Sequence, residues 1–246
     1  MRCTAAEKSN KIKHSKDCIV IKELMDELRR TGQQSDMFRA TILPLALASA
    51  APVGVLAART LYTRQSTHHI LLWNLFLAWI PFLLALLAWR SSRKPYLAIA
   101  LGVLWLLFFP NTLYLITDLI YLRPTADTPM WWFDLVMLFS FAFVGLALGL
   151  HSLHLMHELV IRRYAPLIGW LFIFSVSVLS SFGIYIGRFL RWNSWDVFLH
   201  PVDLTSDVIA SLTTLGSPLK LVTIVLLFGT LTISGLLIVP AYRATK

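Results

Sequence analysis

Positions 109–121 read Phe-Pro-Asn-Thr-Leu-Tyr-Leu-Ile-Thr-Asp-Leu-Ile-Tyr. Asn111, Tyr114, Asp118 and Tyr121 are spaced i, i+3, i+7 and i+10, so a helix would carry an amide, two phenols and a carboxylate on one face. A second dense stretch, Gly187 to Asp196, holds Arg188, Arg191, Trp192, Asn193, Trp195 and Asp196. Arginine presents a planar fork of donors suited to phosphate or carboxylate. Asp118 and Asp134 are its natural ion-pair partners, or proton acceptors in their own right. Each group also has an ordinary use. A polar face can be a hydrogen-bonded seam between helices, and Trp and Arg anchor helix ends at a membrane interface.

A third group is His151, His154, His157 and Glu158. His151, His154 and Glu158 fall at i, i+3 and i+7, a spacing able to hold a metal. No His-Glu-x-x-His arrangement and no second histidine cluster completes such a site, and a helix C-terminus by itself favours cationic groups. Neither a metal nor any other cofactor is expected. No Gly-rich phosphate loop, nucleophile elbow or Cys–His pair is present.

The elements that must position these residues are membrane helices. The 246 residues are 57% hydrophobic and 14% charged, against roughly a quarter charged in a soluble domain. The apolar residues come in runs of about twenty, the length at which a helix crosses a ~30 Å hydrocarbon layer. The strict alternation of a barrel strand is missing. Six helices are expected, at about 40–58, 70–89, 97–121, 131–157, 166–189 and 220–240. Trp73, Trp79, Trp89, Trp131 and Trp132 lie near their ends, as an aromatic belt does. Pro81 and Pro110 are expected to interrupt their helices. Gly145-x-x-x-Gly149 and Gly183-x-x-x-Gly187 are small-residue faces for close packing, and the two could face each other. Gly145 shares a face with Asp134 and Ser152, and Ser177, Ser180 and Ser181 precede Gly183. Between the last two helices, Leu204, Val208, Leu212 and Leu215 fall at helical spacing opposite Thr205, Ser206 and Ser211, as in a helix lying in the interface plane. No internal repeat of the kind that builds transporters is visible.

The net charge of +9 follows membrane orientation and not nucleic acid. With the N-terminus inside, inner segments carry 16 Lys and Arg and outer segments 6. Both termini are therefore expected in the cytoplasm. Residues 1–36 form a polar tail with one amphipathic stretch, 19–28, and hold both cysteines, Cys3 and Cys18, so no disulfide framework is implied. Met37, followed by Phe-Arg and an apolar run, is as good a start of translation as Met1. Without the residues before it the inside excess falls to 8 against 6.

Phe109-Pro110-Asn111 with Tyr114, Thr117-Asp118-Leu119, Trp132-Phe133-Asp134-Leu135 and the run Phe182 to Asp196 together resemble the bacterial integral-membrane proteins grouped as domain of unknown function 1361. The resemblance spans roughly residues 70–240 and leaves out the tail and the histidine cluster. It implies a multi-pass protein of the bacterial plasma membrane and carries no activity across.

The expected protein is thus an all-α polytopic bundle whose partner is the lipid bilayer, with no indication of its oligomeric state. Helix direction brings Asn74, Asp118, Asp134, Arg188 and Arg191 toward the outer leaflet, where they would form one electrostatic unit. The leading reading is an outward-facing polar pocket for a small anionic or zwitterionic group such as a lipid headgroup. Three alternatives stand beside it: an intramembrane enzyme using Asp118 or Asp134 as acid or base, a transporter or channel, and a structural or assembly subunit. The topology is testable with fusions in the 190–219 loop and at Lys246. Alkaline phosphatase should be active at the first site and a fluorescent protein at the second; the reverse result rejects the orientation.

Overall fold

The computed structural model describes residues 41–64, 68–122, 131–213 and 217–241, with the side chains at 212, 217, 218 and 238–241 set aside. The tail 1–36 and Leu215 lie outside the described residues. The chain divides into two units, Met1–Ala48 and Ser49–Lys246. Of the first, only the beginning of one helix is described, and the second holds the functional residues.

The helices in chain order are α1 (Leu43–Thr63), α2 (Ile70–Arg90), α3 (Pro95–Phe108), α4 (Pro110–Thr117), α5 (Trp131–Ile161), α6 (Pro166–Tyr185), α7 (Asp196–Leu199), α8 (Pro201–Thr213) and α9 (Ser217–Ala241). No strand occurs among the described residues. Six stretches are long and apolar enough to cross a membrane: Leu43–Thr63, Ile70–Arg90, Pro95–Tyr121, Trp131–Ile161, Pro166–Leu190 and Leu219–Leu237. The protein is an all-α, multi-pass integral membrane protein, as its apolar runs require.

Proline sets several of the helix starts. Pro95, Pro110 and Pro166 each sit in a first turn, where the preset φ suits a helix; at Pro110, one helical residue after α3, the missing N–H also interrupts the hydrogen-bond ladder. Pro110 thereby splits the third span into α3 and α4, and a 3-10 turn, Asp118–Tyr121, completes it. Pro81 behaves otherwise. It is buried inside α2, which continues to Arg90, so the interruption expected there does not occur. A bundle tolerates such a proline because neighbouring helices pack over the disturbed turn. The fifth span ends in one π turn, Ile186–Leu190. The 190–219 segment holds α7 and α8, and α8 covers most of the stretch expected to lie in the interface.

The 31 residues of α5 extend about 46 Å at ~1.5 Å per residue, well past a hydrocarbon layer of ~30 Å. The helix is therefore long enough to cross at a tilt or to project beyond the apolar slab. Side chains such as Phe139, Phe143, Leu167 and Phe174 stay exposed, as they should where the solvent is lipid.

The centre of the bundle is α4, packed by α2, α5 and α6. Thr112, Leu113 and Leu115 are wholly buried there. Lipid supplies no hydrophobic drive between helices, so such contact depends on close approach at small residues. A Cβ placed on Gly145 would fall 2.6 Å from the Thr112 carbonyl oxygen, and one on Gly149 2.6 Å from Thr112 Oγ1. On α6, a Cβ at Gly183 would fall 2.6 Å from Pro110 Cγ, and in the π turn one at Gly187 would fall 3.1 Å from the Tyr114 ring. The two glycine faces therefore do not meet each other. Each receives α4. Gly145→Val and Gly149→Val should each lower the melting temperature in detergent, since overpacking costs about 1–3 kcal/mol. Gly229→Val, where a Cβ meets nothing within 4 Å, should not.

Candidate functional site

Asp118 begins the 3-10 turn with 1% of its surface exposed. Its carboxylate accepts a hydrogen bond from Asn74 Nδ2 of α2 at 2.7 Å and one from Arg188 Nη1 of the π turn at 3.3 Å. Arg188 also donates from Nη2 to the Thr117 carbonyl at 2.6 Å. Its guanidinium carbon lies 5.3 Å from the centre of the Tyr114 ring and 5.1 Å from that of Tyr121. Tyr114 in turn donates to the Gly187 carbonyl at 3.3 Å. The polar face read from the spacing of Asn111, Tyr114, Asp118 and Tyr121 is therefore the face on which the second and fifth spans are tied.

Beside this cluster opens a cavity of about 770 Å³. Asn111, Tyr114, Asp118, Arg188, Arg191, Trp192, Asn193 and Trp195 all line it, with Trp73, Asn74 and Tyr121. Ser194, which also lines it, accepts a bond from Asn111 Nδ2 at 3.0 Å and so holds the loop after the π turn against α4. Trp73 and Trp195 meet edge to face with ring centres 6.2 Å apart. Trp192 donates through Nε1 to Asp207 of α8 at 3.0 Å. A second tie, Tyr185 to Ser211, fixes α8 farther along, while Leu204 of α8 lines the cavity.

Arg191 comes directly after the π turn with φ 61° and ψ 30°. Glycine or asparagine commonly takes this left-handed position at a helix end. A larger residue held there costs about 1–3 kcal/mol, and such positions gather at functional sites. Arg188 is engaged by Asp118 and Thr117, whereas no acceptor for the Arg191 side chain is found among the described residues.

Two aspartates fall elsewhere. Asp134 does not join Arg188 or Arg191 and does not line the cavity. It forms a two-point ion pair with Arg59 of α1, whose Nη2 donates to Oδ2 at 3.0 Å. The single electrostatic unit expected from helix direction is thus two pairs, Asp118–Arg188 and Asp134–Arg59. Arg59 was missed because a basic residue at the end of an apolar run reads first as a topology signal. His68, in the connection before α2, lies in the field of that second pair. Burial, and then the Arg59 charge, lowers its pKa from the ordinary imidazole value, so it adds no third charge at neutral pH. Asp196 turns back onto its own loop, accepting from the Asn193 N–H at 2.6 Å and from Asn193 Nδ2 at 3.1 Å. It shapes the turn that presents Asn193 and Ser194.

The histidines do not converge. His151 Nδ1 meets the carbonyl of Ala147, His154 pairs with Glu158 at 3.5 Å, and His157 packs on Trp170. Among the described residues no group of three His, Cys, Asp or Glu side chains is placed to hold a metal.

The two ion pairs predict separate energetics. Asp118→Ala and Arg188→Ala should each destabilise by about 3–5 kcal/mol, as removal of one member of a buried pair does, with a double variant milder than their sum. Arg59→Ala and Asp134→Ala should couple likewise. Across pairs, Asp118→Ala with Asp134→Ala should be additive in unfolding measurements; strong coupling there would rejoin the two pairs into one unit.

No curated protein and no solved structure matches the chain. A family model described as "Protein of unknown function (DUF1361)" matches residues 73–234, which include Asn74, Asp118, Asp134, Arg188 and Arg191 but not Arg59. With well over half of its length matched, and with the aspartate–arginine tie and the tryptophan loop inside the match, this chain belongs to the DUF1361 family.

Proposed function

We propose that this protein binds a phosphate- or carboxylate-bearing group in the cavity between α2, α4 and the loop after the π turn. Arg191 is the recognising cation. The observation that carries the reading is the division between two neighbouring arginines: Arg188 is engaged within the fold, while Arg191 lines the same cavity without an acceptor among the described residues. Asn193 and the indoles of Trp73, Trp192 and Trp195 surround the position, giving donors and apolar faces for the rest of a ligand. The Lys and Arg distribution favours the outer face for this end of the bundle.

The acid–base alternative has less support. Asp118 is engaged by Asn74 and Arg188, and Asp134 by Arg59 away from the cavity, so each would have to surrender a partner before acting on a substrate. A conducting path has less support as well, because the cavity wall turns from polar to aliphatic at Val103, Leu106 and Leu107.

The test is a titration of purified protein with glycerol 3-phosphate, followed by tryptophan fluorescence. Binding is expected, and Arg191→Gln should weaken it at least tenfold with no change in melting temperature. A wild-type protein that binds neither phosphate nor carboxylate compounds, free or lipid-borne, would leave the structural-subunit reading in its place.

A further inference from the structure

The cavity is much larger than an anion needs, and its walls change character along the helices. Its charged end is at the level of Asp118, Arg188 and Arg191, and its other end is formed by Val103, Leu106, Leu107 and Leu179. Leu179 precedes Arg188 by nine residues and Leu107 precedes Asp118 by eleven. At ~1.5 Å per residue Leu179 and Leu107 therefore lie about 14–17 Å deeper than the charges, with Val103 about one further turn down. That depth is close to one leaflet of a ~30 Å hydrocarbon layer. Two of these wall residues are also well exposed, Val103 at 65% and Leu179 at 50%, on helices long and apolar enough to cross a membrane. The void is thus polar at one end and apolar at the other, with exposed side chains along its apolar wall.

We infer that the occupant is an anionic lipid, its headgroup at Arg191 and one hydrocarbon chain along Val103, Leu106, Leu107 and Leu179, entering laterally from the leaflet in which the π turn sits. This rests on the anion-binding reading above and narrows it. A soluble anion uses only the charged end. The aliphatic end has a use when the ligand carries a chain, since each buried CH2 adds to binding.

Delipidated full-length protein, titrated in detergent with dioleoyl phosphatidylglycerol, dioleoyl phosphatidylcholine and glycerol 3-phosphate and read by native mass spectrometry and tryptophan fluorescence, separates the possibilities. The anionic lipid should bind as one equivalent at least tenfold more tightly than glycerol 3-phosphate or the zwitterionic lipid. Val103→Trp and Leu179→Trp, which crowd the aliphatic end at positions exposed enough to accept an indole, should each weaken the lipid at least fivefold and leave glycerol 3-phosphate unchanged. Arg191→Gln should weaken both. Glycerol 3-phosphate binding as tightly as the lipid, with both Trp variants silent, would overturn the lipid inference while the anion site stands. Equal binding of the two lipids with Arg191→Gln silent would overturn both readings, as would no binding of any of the three.

Discussion

A carboxylate with almost no exposed surface, inside a span built to lie in hydrocarbon, must be met by donors from its own protein. On insertion scales an ionisable side chain costs roughly 2.5–3.5 kcal/mol at the helix centre and less toward the span's end, where Asp118 lies. Asp118 meets that constraint with Asn74 from the second span and Arg188 from the fifth. The requirement then propagates. Arg188 carries its own desolvation cost, and it reaches the Thr117 carbonyl and the rings of Tyr114 and Tyr121. Three spans are fixed at one height by what a single buried aspartate needs, and the tryptophan loop begins where that height is set.

Below this level the fixing is steric. Thr112 fits against two glycines of α5, while Pro110 lies against Gly183 of α6 and Tyr114 against Gly187 of the π turn. With α4 wedged against glycines where an added Cβ would collide with it or crowd it, its rotation is constrained, and so is the direction in which Asn111, Tyr114 and Asp118 point. Polar and steric constraints agree on one orientation of a short helix. Such agreement between independent local preferences is what makes one arrangement much lower in energy than its rivals.

The spans were legible because hydrocarbon thickness imposes a length on apolar runs, and Asn111, Tyr114 and Asp118 were legible because helical spacing puts them on one face. Partner choice was not. Four charges, Asp118, Asp134, Arg188 and Arg191, sit near one end of their helices in any reasonable topology. Which arginine meets which aspartate depends on helix order and rotation about the axis, and spacing along one chain carries neither. Hence Asp134 belongs with Arg59, on a helix whose polar residue looked like a boundary marker. The glycine pairs show the same limit: their closeness to something was readable, but not that both enclose α4. At Pro81 the generic cost of proline was outweighed by packing that only the assembled bundle supplies.

The two arginines of the π-turn segment illustrate how a site and its scaffold can be three residues apart. Continuing a regular helix from Arg188 would place Arg191 on a nearby part of the same face, available to the same carboxylate. The left-handed residue ends the helix instead, and Asn111 and Asp196 hold the loop beyond it. Arg188 is thereby committed to the fold, and its removal reports on stability before it reports on anything bound. Arg191 occupies a strained backbone position at the cavity without a compensating bond from its side chain. The backbone at Arg191 thus serves the fold, its turn capping the Ile186 carbonyl through a backbone N–H, while its side chain is left to the cavity.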